Sequence, residues 1–174
     1  MGAVKSPNDQ GEFTIDFRST PPIRALVFND RLALGGIVLV RGSSRPIEGL
    51  RVNSSQVTVA IHEGETFRMD WRAPDSARLR SSKIARDNAQ VGDARLPFLD
   101  RTEGPVSLFV VAMDEAFVKQ TWESAFGQAG DFELKTAIGV QDLVISRIGL
   151  LGRKELSEGG IGGRLYAESL GTAL

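Results

Sequence analysis

The chain contains no cysteine, which removes disulfides, thiolate zinc sites and cysteine nucleophiles from consideration. Histidine is nearly missing as well: His62 is the one imidazole in 174 residues, so a three-histidine metal centre cannot be built. No serine stands in a Gly-x-Ser-x-Gly elbow, and a single histidine leaves little choice of base for one. An excess of charge of either sign is also lacking. Lys and Arg number 21 against 22 Asp and Glu, a net charge of −1, whereas a domain that grips phosphates is usually basic. No apolar run approaches the roughly 18 residues of a membrane span, and the N-terminus has no charged-then-apolar signal pattern, so a cytoplasmic protein is expected. The glycine-rich run Gly159 to Gly163 lacks a following lysine and comes after a helical pattern, which argues against a phosphate loop. These absences predict a container rather than an enzyme, with no cofactor and no metal.

What is present is a 41% hydrophobic chain, enough for one core. Residues 1–22 are polar and interrupted by proline and glycine, and they read as a flexible arm in which Phe13, Ile15 and Phe17 offer one edge strand. From Ile23 to about Met69, short β-branched or aromatic runs alternate with turn residues, which points to an antiparallel sandwich or barrel rather than βαβ units. The clearest hairpin spans Gln56 to Trp71 across Glu63-Gly64-Glu65. Val57, Val59 and Ile61 take one face, Thr58, Ala60 and His62 the other, and alternation does not say which face looks inward. The stretch from Arg72 to Ala89 reads as a charged surface loop, and Val106–Met113, apolar on both faces, as a central strand.

At Asp114, a good N-cap, the period turns helical, with Val118, Trp122 and Ala125 in a stripe that closes the β part. Gln128 to Gly139 reads as a linker. Asp142 caps a second helix running to about Glu158, in which Val144, Ile148 and Leu151 form a stripe that Leu143 and Leu150 widen. Gly149 and Gly152 leave one side bare for a neighbouring helix. A third helix starts at Gly162-Gly163, with Leu165, Tyr166, Leu170, Ala173 and Leu174 at helical spacing.

The expected fold class is α+β, mainly β: a cupin-like antiparallel β-barrel or sandwich followed by two to three α-helices. It divides into the arm (1–22), the barrel with its closing helix (23–127) and a helical hairpin (140–174). A barrel of this kind can hold one small ligand. Candidate ligand contacts are His62, Met69, Trp71, Phe98 and Phe109, with Arg24 and Arg41 as partners for a carboxylate.

The segment Ile138 to Leu174 resembles one found in a branch of the AraC-type transcription regulators. There a leucine-rich helix is followed by a glycine-rich turn and a Gly-Arg-Leu-Tyr-x-Glu-Ser-Leu helix, matched here by Gly163, Arg164, Leu165, Tyr166, Glu168, Ser169 and Leu170. Val91-Gly92-Asp93 is similar to the family's Pro-Gly-Asp turn with Val91 replacing proline, and Phe109 to Phe117 is similar to its last barrel strand entering a helix. The resemblance implies a cupin-like effector-binding and dimerisation domain whose helix-turn-helix motifs would follow Leu174. Promoter DNA would be bound only through that missing region, and no membrane partner is implied. It further implies a homodimer joined by the C-terminal helices, with Leu143, Ile148, Leu150 and Leu151 at the interface, unless that stripe packs only on its own barrel. In this family the N-terminal arm can fold over the ligand or contact the DNA-binding half. A cupin-type isomerase or oxygenase and a purely structural dimerisation module remain the alternatives.

Overall fold

The computed structural model describes residues 12–19, 25–93, 95–127 and 134–174. Two sheets face each other. The larger runs β11 (Ala137–Val140), β8 (Ala89–Gly92), β5 (Val57–His62), β10 (Val106–Met113), β3 (Ile37–Ser44) and β2 (Leu26–Leu34). The smaller runs β1 (Glu12–Ile15), β4 (Glu48–Ser54), β9 (Phe98–Thr102), β6 (Phe67–Arg72) and β7 (Arg80–Ile84). Three helices follow the main body of strands: α1 (Glu115–Phe126), α2 (Leu143–Ser157) and α3 (Gly163–Ala173). This is the expected mainly β, cupin-like sandwich with helices.

The apolar run of β10 makes it the middle of the larger sheet, antiparallel to both β3 and β5. Leu108 lies opposite Gly42 and His62, and Val110 opposite Val40 and Ala60. Because side chains alternate, the even-numbered residues of β10 share the face of Thr58, Ala60 and His62, and Phe109, Val111 and Met113 share that of Val57, Val59 and Ile61. Two cores result. The odd-numbered face joins Ile37, Leu39, Leu156 and Ala167 beneath the helices. The even-numbered face looks across to the smaller sheet and packs with Ile15, Phe17 and Val52. The question left open by alternation is thus resolved: both faces are interior, and His62 is on the side between the sheets.

Four local expectations need correction. Gln56 to Trp71 is not a hairpin, because β5 and β6 belong to different sheets. Both edges of β5 are occupied, by β10 and β8, which leaves β6 to pair with β7 and β9. The charged stretch after Arg72 contains β7, an edge strand. It needs few apolar residues because Ile84 is its one buried side chain, while Ser82 Oγ accepts the Trp71 Nε1–H at 3.0 Å. Part of the expected linker is β11, which joins the larger sheet beside β8, although residues 128–133 lie outside the described set. Finally, Gly149 and Gly152 admit the sheet, not a helix. A Cβ at Gly149 would run into Ile61 Cδ1, and one at Gly152 would stand 2.8 Å from Phe109 Cζ.

The helix ends are explicit. The Asp142 carboxylate accepts from the Val144 and Ile145 N–H groups at 2.7 and 3.1 Å, satisfying two of the donors left open at the start of α2. Asp114 precedes α1 but gives its carboxylate to Arg18 at 2.6 Å instead of to the helix. Between α2 and α3, Gly159, Gly160 and Gly163 take positive φ. The buried Glu155 carboxylate reaches from α2 to accept the Gly163 N–H at 3.1 Å, so the glycine turn is held at the positive end of α3.

Residues 12–19 of the expected arm belong to the fold. β1 pairs parallel to β4, and Ile15 and Phe17 are buried. Gln56 clamps this stretch: its Nε2–H donates to Asp16 at 2.9 Å and its Oε1 accepts the Phe17 N–H at 3.2 Å. The Arg18 backbone N–H, then the Gln56 side chain, holds the Asp16 carboxyl below its ordinary value.

Candidate functional site

Between the sheets lies a cavity of about 140 Å³. Its walls come from Ile15 and Phe17 of the N-terminal segment, from the even-numbered face of β10, and from residues of the smaller sheet such as Leu50 and Met69. Among the described residues that line it there is no Lys, Arg, Asp or Glu. Charge is absent for a simple reason: two apolar strand faces meet here, and an unpaired ion would lose its hydration without compensation.

His62 shares the wall with the neutral polar residues Ser43, Ser44, Thr58, Asn88, Gln90 and Thr102. It is 1% exposed, and its Nε2 lies 2.7 Å from the Glu65 carbonyl oxygen. A carbonyl only accepts, so Nε2 carries the proton, and in the neutral ring Nδ1 is then an acceptor. Nδ1 is buried with no hydrogen-bond partner, and the Phe67 ring meets the imidazole edge-on at 4.9 Å. Ser44 Oγ, also on a lining residue, is likewise buried without a partner.

Of the seven candidate ligand residues, His62 and Met69 line the cavity. Arg24 lies outside the described residues. Arg41 is on the helix-facing side of β3 and is already engaged, its Nε and Nη2 reaching Glu63 at 3.0 and 3.2 Å. Phe109 has the same parity and sits beneath α2, with the Arg153 guanidinium 5.9 Å from its ring centre. Trp71 is buried against Ile84 and stacks under Arg80 at 5.0 Å. Phe98 lies in an outer groove beneath Arg51 and Arg72. A carboxylate held by Arg41 inside the cavity is therefore excluded by the register of β3. The residues that the sequence reading missed, Ser44, Leu108 and Val110, share the parity of His62 across β3 and β10, which becomes visible only once the strand partners are known.

The cavity wall is tied to α2 by Arg153. Its Nε lies 3.7 Å from Glu63 and its Nη2 3.5 Å from Asp87, so it holds the loop after His62 and the loop before the lining residue Asn88. Of the four residues expected at a dimer interface, Ile148 is buried on its own barrel. Leu143, Leu150 and Leu151 are 77%, 62% and 43% exposed, and Val144 beside them is 59% exposed.

A cupin-like fold raises the question of a metal, and these residues do not fit one. The lone imidazole has Nε2 committed to Glu65, and among the described residues no carboxylate lines the cavity and no three His, Asp or Glu side chains gather. Among the described residues, no helix is long and apolar enough to cross a membrane.

No family model matches the chain, and no curated protein does. Solved structures of similar fold include a protein described as a mannose-6-phosphate isomerase from Ralstonia eutropha JMP134, at 15% identity, over 56% of this chain and 94% of that one, TM-score 0.41. Another is HEPD of Streptomyces albus with 2-hydroxyethylphosphonate and Fe(II) bound, at 17% identity over 64% of this chain and 26% of that one, TM-score 0.41. A third is vicilin from Capsicum annuum, at 9% identity over 68% and 41%, TM-score 0.36. The expectation that the chain is not an enzyme is corrected by these comparisons, since the neighbours of its fold include an isomerase and an iron-bound enzyme with its substrate. The exclusion is withdrawn, and at these identities the likeness assigns no reaction to the chain.

Proposed function

We propose that this chain is the regulatory half of an AraC-type DNA-binding transcription regulator, taking a small effector into the cavity between its sheets and pairing with a second copy through α2. The observation that carries the reading is a shared wall. On β10, Leu108 faces the cavity and its neighbour Phe109 lies directly under α2, so whatever fills the cavity presses on the strand that supports the helix. The resemblance of Ile138 to Leu174 to the family's connecting helices supports it independently, as does the near-neutral charge. The N-terminal segment suits the role, because Ile15 and Phe17 form part of the cavity wall. Leu143, Val144, Leu150 and Leu151 form an apolar strip on α2 turned away from the barrel, of the kind a second copy would cover.

The test is DNA binding by a longer form of the protein continuing past Leu174. It is expected to bind a promoter fragment, and removal of the continuation to abolish binding. A long form with no affinity for DNA refutes the reading.

A further inference from the structure

The polar groups left free on the cavity wall define its ligand more narrowly. Resting on the reading of this cavity as the effector site, we propose that it takes a neutral molecule about the size of one six-membered ring, apolar but for one hydrogen-bond acceptor held by the side-chain amides of Asn88 and Gln90.

Size comes first. The cavity is about 140 Å³, close to the roughly 150 Å³ of an apolar protein cavity known to admit benzene. A sugar phosphate or a nucleotide does not fit that volume. Charge comes second: with no Lys, Arg, Asp or Glu among the described lining residues, an ionised ligand would be desolvated with no counter-charge to meet it.

Polarity comes third, and most polar groups of the wall are already bonded or out of reach. The Thr102 hydroxyl accepts the Ile47 N–H at 2.8 Å, the Thr58 hydroxyl reaches the Gly92 carbonyl at 3.5 Å, and Ser43 Oγ accepts from Asn29 Nδ2 at 3.1 Å. His62 Nδ1 and Ser44 Oγ have no partner, but both are sealed beneath the surface of the wall, where no ligand touches them. The exception is the start of β8. Gln90 pairs with Ala60, and the Asn88 carbonyl accepts the His62 N–H at 2.9 Å, so both amides belong to the face of β5 that looks between the sheets. Asn88 Oδ1 accepts the Ala85 N–H at 3.0 Å, which leaves Nδ2 as the remaining end, and an amide nitrogen only donates. Neither that Nδ2 nor the Gln90 amide has a partner among the described residues, and neither is sealed as His62 Nδ1 is. A ligand oxygen placed against these N–H groups satisfies donors that a hydrocarbon of the same shape leaves unpaired.

Cyclohexanone, methylenecyclohexane and cyclohexylammonium separate these features, because they share a ring and a size and differ in acceptor and charge. The ketone is better hydrated than the hydrocarbon, so each ligand is compared between two proteins rather than with the other ligand. Calorimetry is expected to show Gln90→Leu weakening cyclohexanone about tenfold and leaving methylenecyclohexane bound as tightly as before or more so. Cyclohexylammonium is expected not to bind the parent chain. In ¹⁵N-labelled parent protein, cyclohexanone should move the side-chain NH₂ proton signals of Asn88 and Gln90 downfield, as a new hydrogen bond does, and methylenecyclohexane should not. These signals decide alone if the variant does not fold. Unmoved amide signals, or a Gln90→Leu variant that treats the two neutral ligands alike, overturn the acceptor assignment. Binding of cyclohexylammonium as tight as that of the ketone overturns neutrality, and failure of all three probes overturns the proposal as a whole. The regulator reading is judged separately, by promoter binding of the longer form.

Discussion

Exchanging one methyl group between α2 and the sheet tests the packing that joins the helix to the cavity wall. In Gly149→Ala the new Cβ runs into Ile61 Cδ1, the end of a fully buried side chain. Replacing a mid-helix glycine by alanine contributes about 1 kcal/mol from helix propensity, while overpacking a core costs about 1–3 kcal/mol. The single variant should therefore be destabilised by up to about 2 kcal/mol. Ile61→Val removes the obstructing Cδ1 and alone costs about 0.5–1.5 kcal/mol. Together the two substitutions move the methyl from strand to helix at constant volume, so the double variant should lie within about 0.5 kcal/mol of the parent, with an interaction energy of about 1–2 kcal/mol. Urea unfolding measures all four corners, and each kcal/mol should move Tm by about 2–4 °C for a chain of this size. Strict additivity, or a Gly149→Ala variant more stable than the parent by the full propensity gain, would refute the close approach.

Leu143→Glu combined with Leu150→Glu should convert a dimer to a monomer in sedimentation equilibrium and remove the dependence of Tm on protein concentration, without disturbing the monomer's own packing because both side chains are exposed; a dimer that survives would rule out this strip as the interface. Arg153→Ala should cost about 1–2 kcal/mol in urea unfolding through lost packing and ion pairing, with Arg153→Lys recovering only part because it cannot fork to Glu63 and Asp87 together; an effect below about 0.3 kcal/mol would count against the link between α2 and the two loops. The Asp16 carboxyl is held low by the Arg18 N–H and Gln56, so its stabilising contribution is complete above the ordinary value of 3.8 and is lost as pH falls through the lower folded value. Asp16→Asn should flatten that acid limb in thermal melts between about pH 4 and 2, and an unchanged limb would assign it to other carboxylates.

How much of this was legible in the sequence depended on the range of the interaction. Asp142, the apolar β10 and the glycine turn after α2 are written within a few residues of their effects, and they appear where expected. The β5–β6 junction was misread because its local pattern suits a hairpin, while the pairing that overrides it comes from β10, more than forty residues on. β7 was missed because an edge strand with one buried side chain carries almost no periodic signal. The cavity suffered most. His62 and Met69 stood out by residue type, but the parity that joins them to Ser44 and Leu108, and that sends Arg41 and Phe109 to the opposite side, depends on register.

The central position of β10 also sets a condition on synthesis. β3 and β5 are complete before β10 has been made, and each then presents an open backbone edge on a strand rich in valine and isoleucine. Such edges pair readily with other chains. The nascent chain carries this exposure until Val106 to Met113 emerges and takes both edges at once, so the hazardous interval is governed by the speed of the ribosome across the sixty-odd residues between β3 and β10. Slowing translation within that span should raise aggregation without altering the stability of the finished protein, and co-expressed chaperones should lower it.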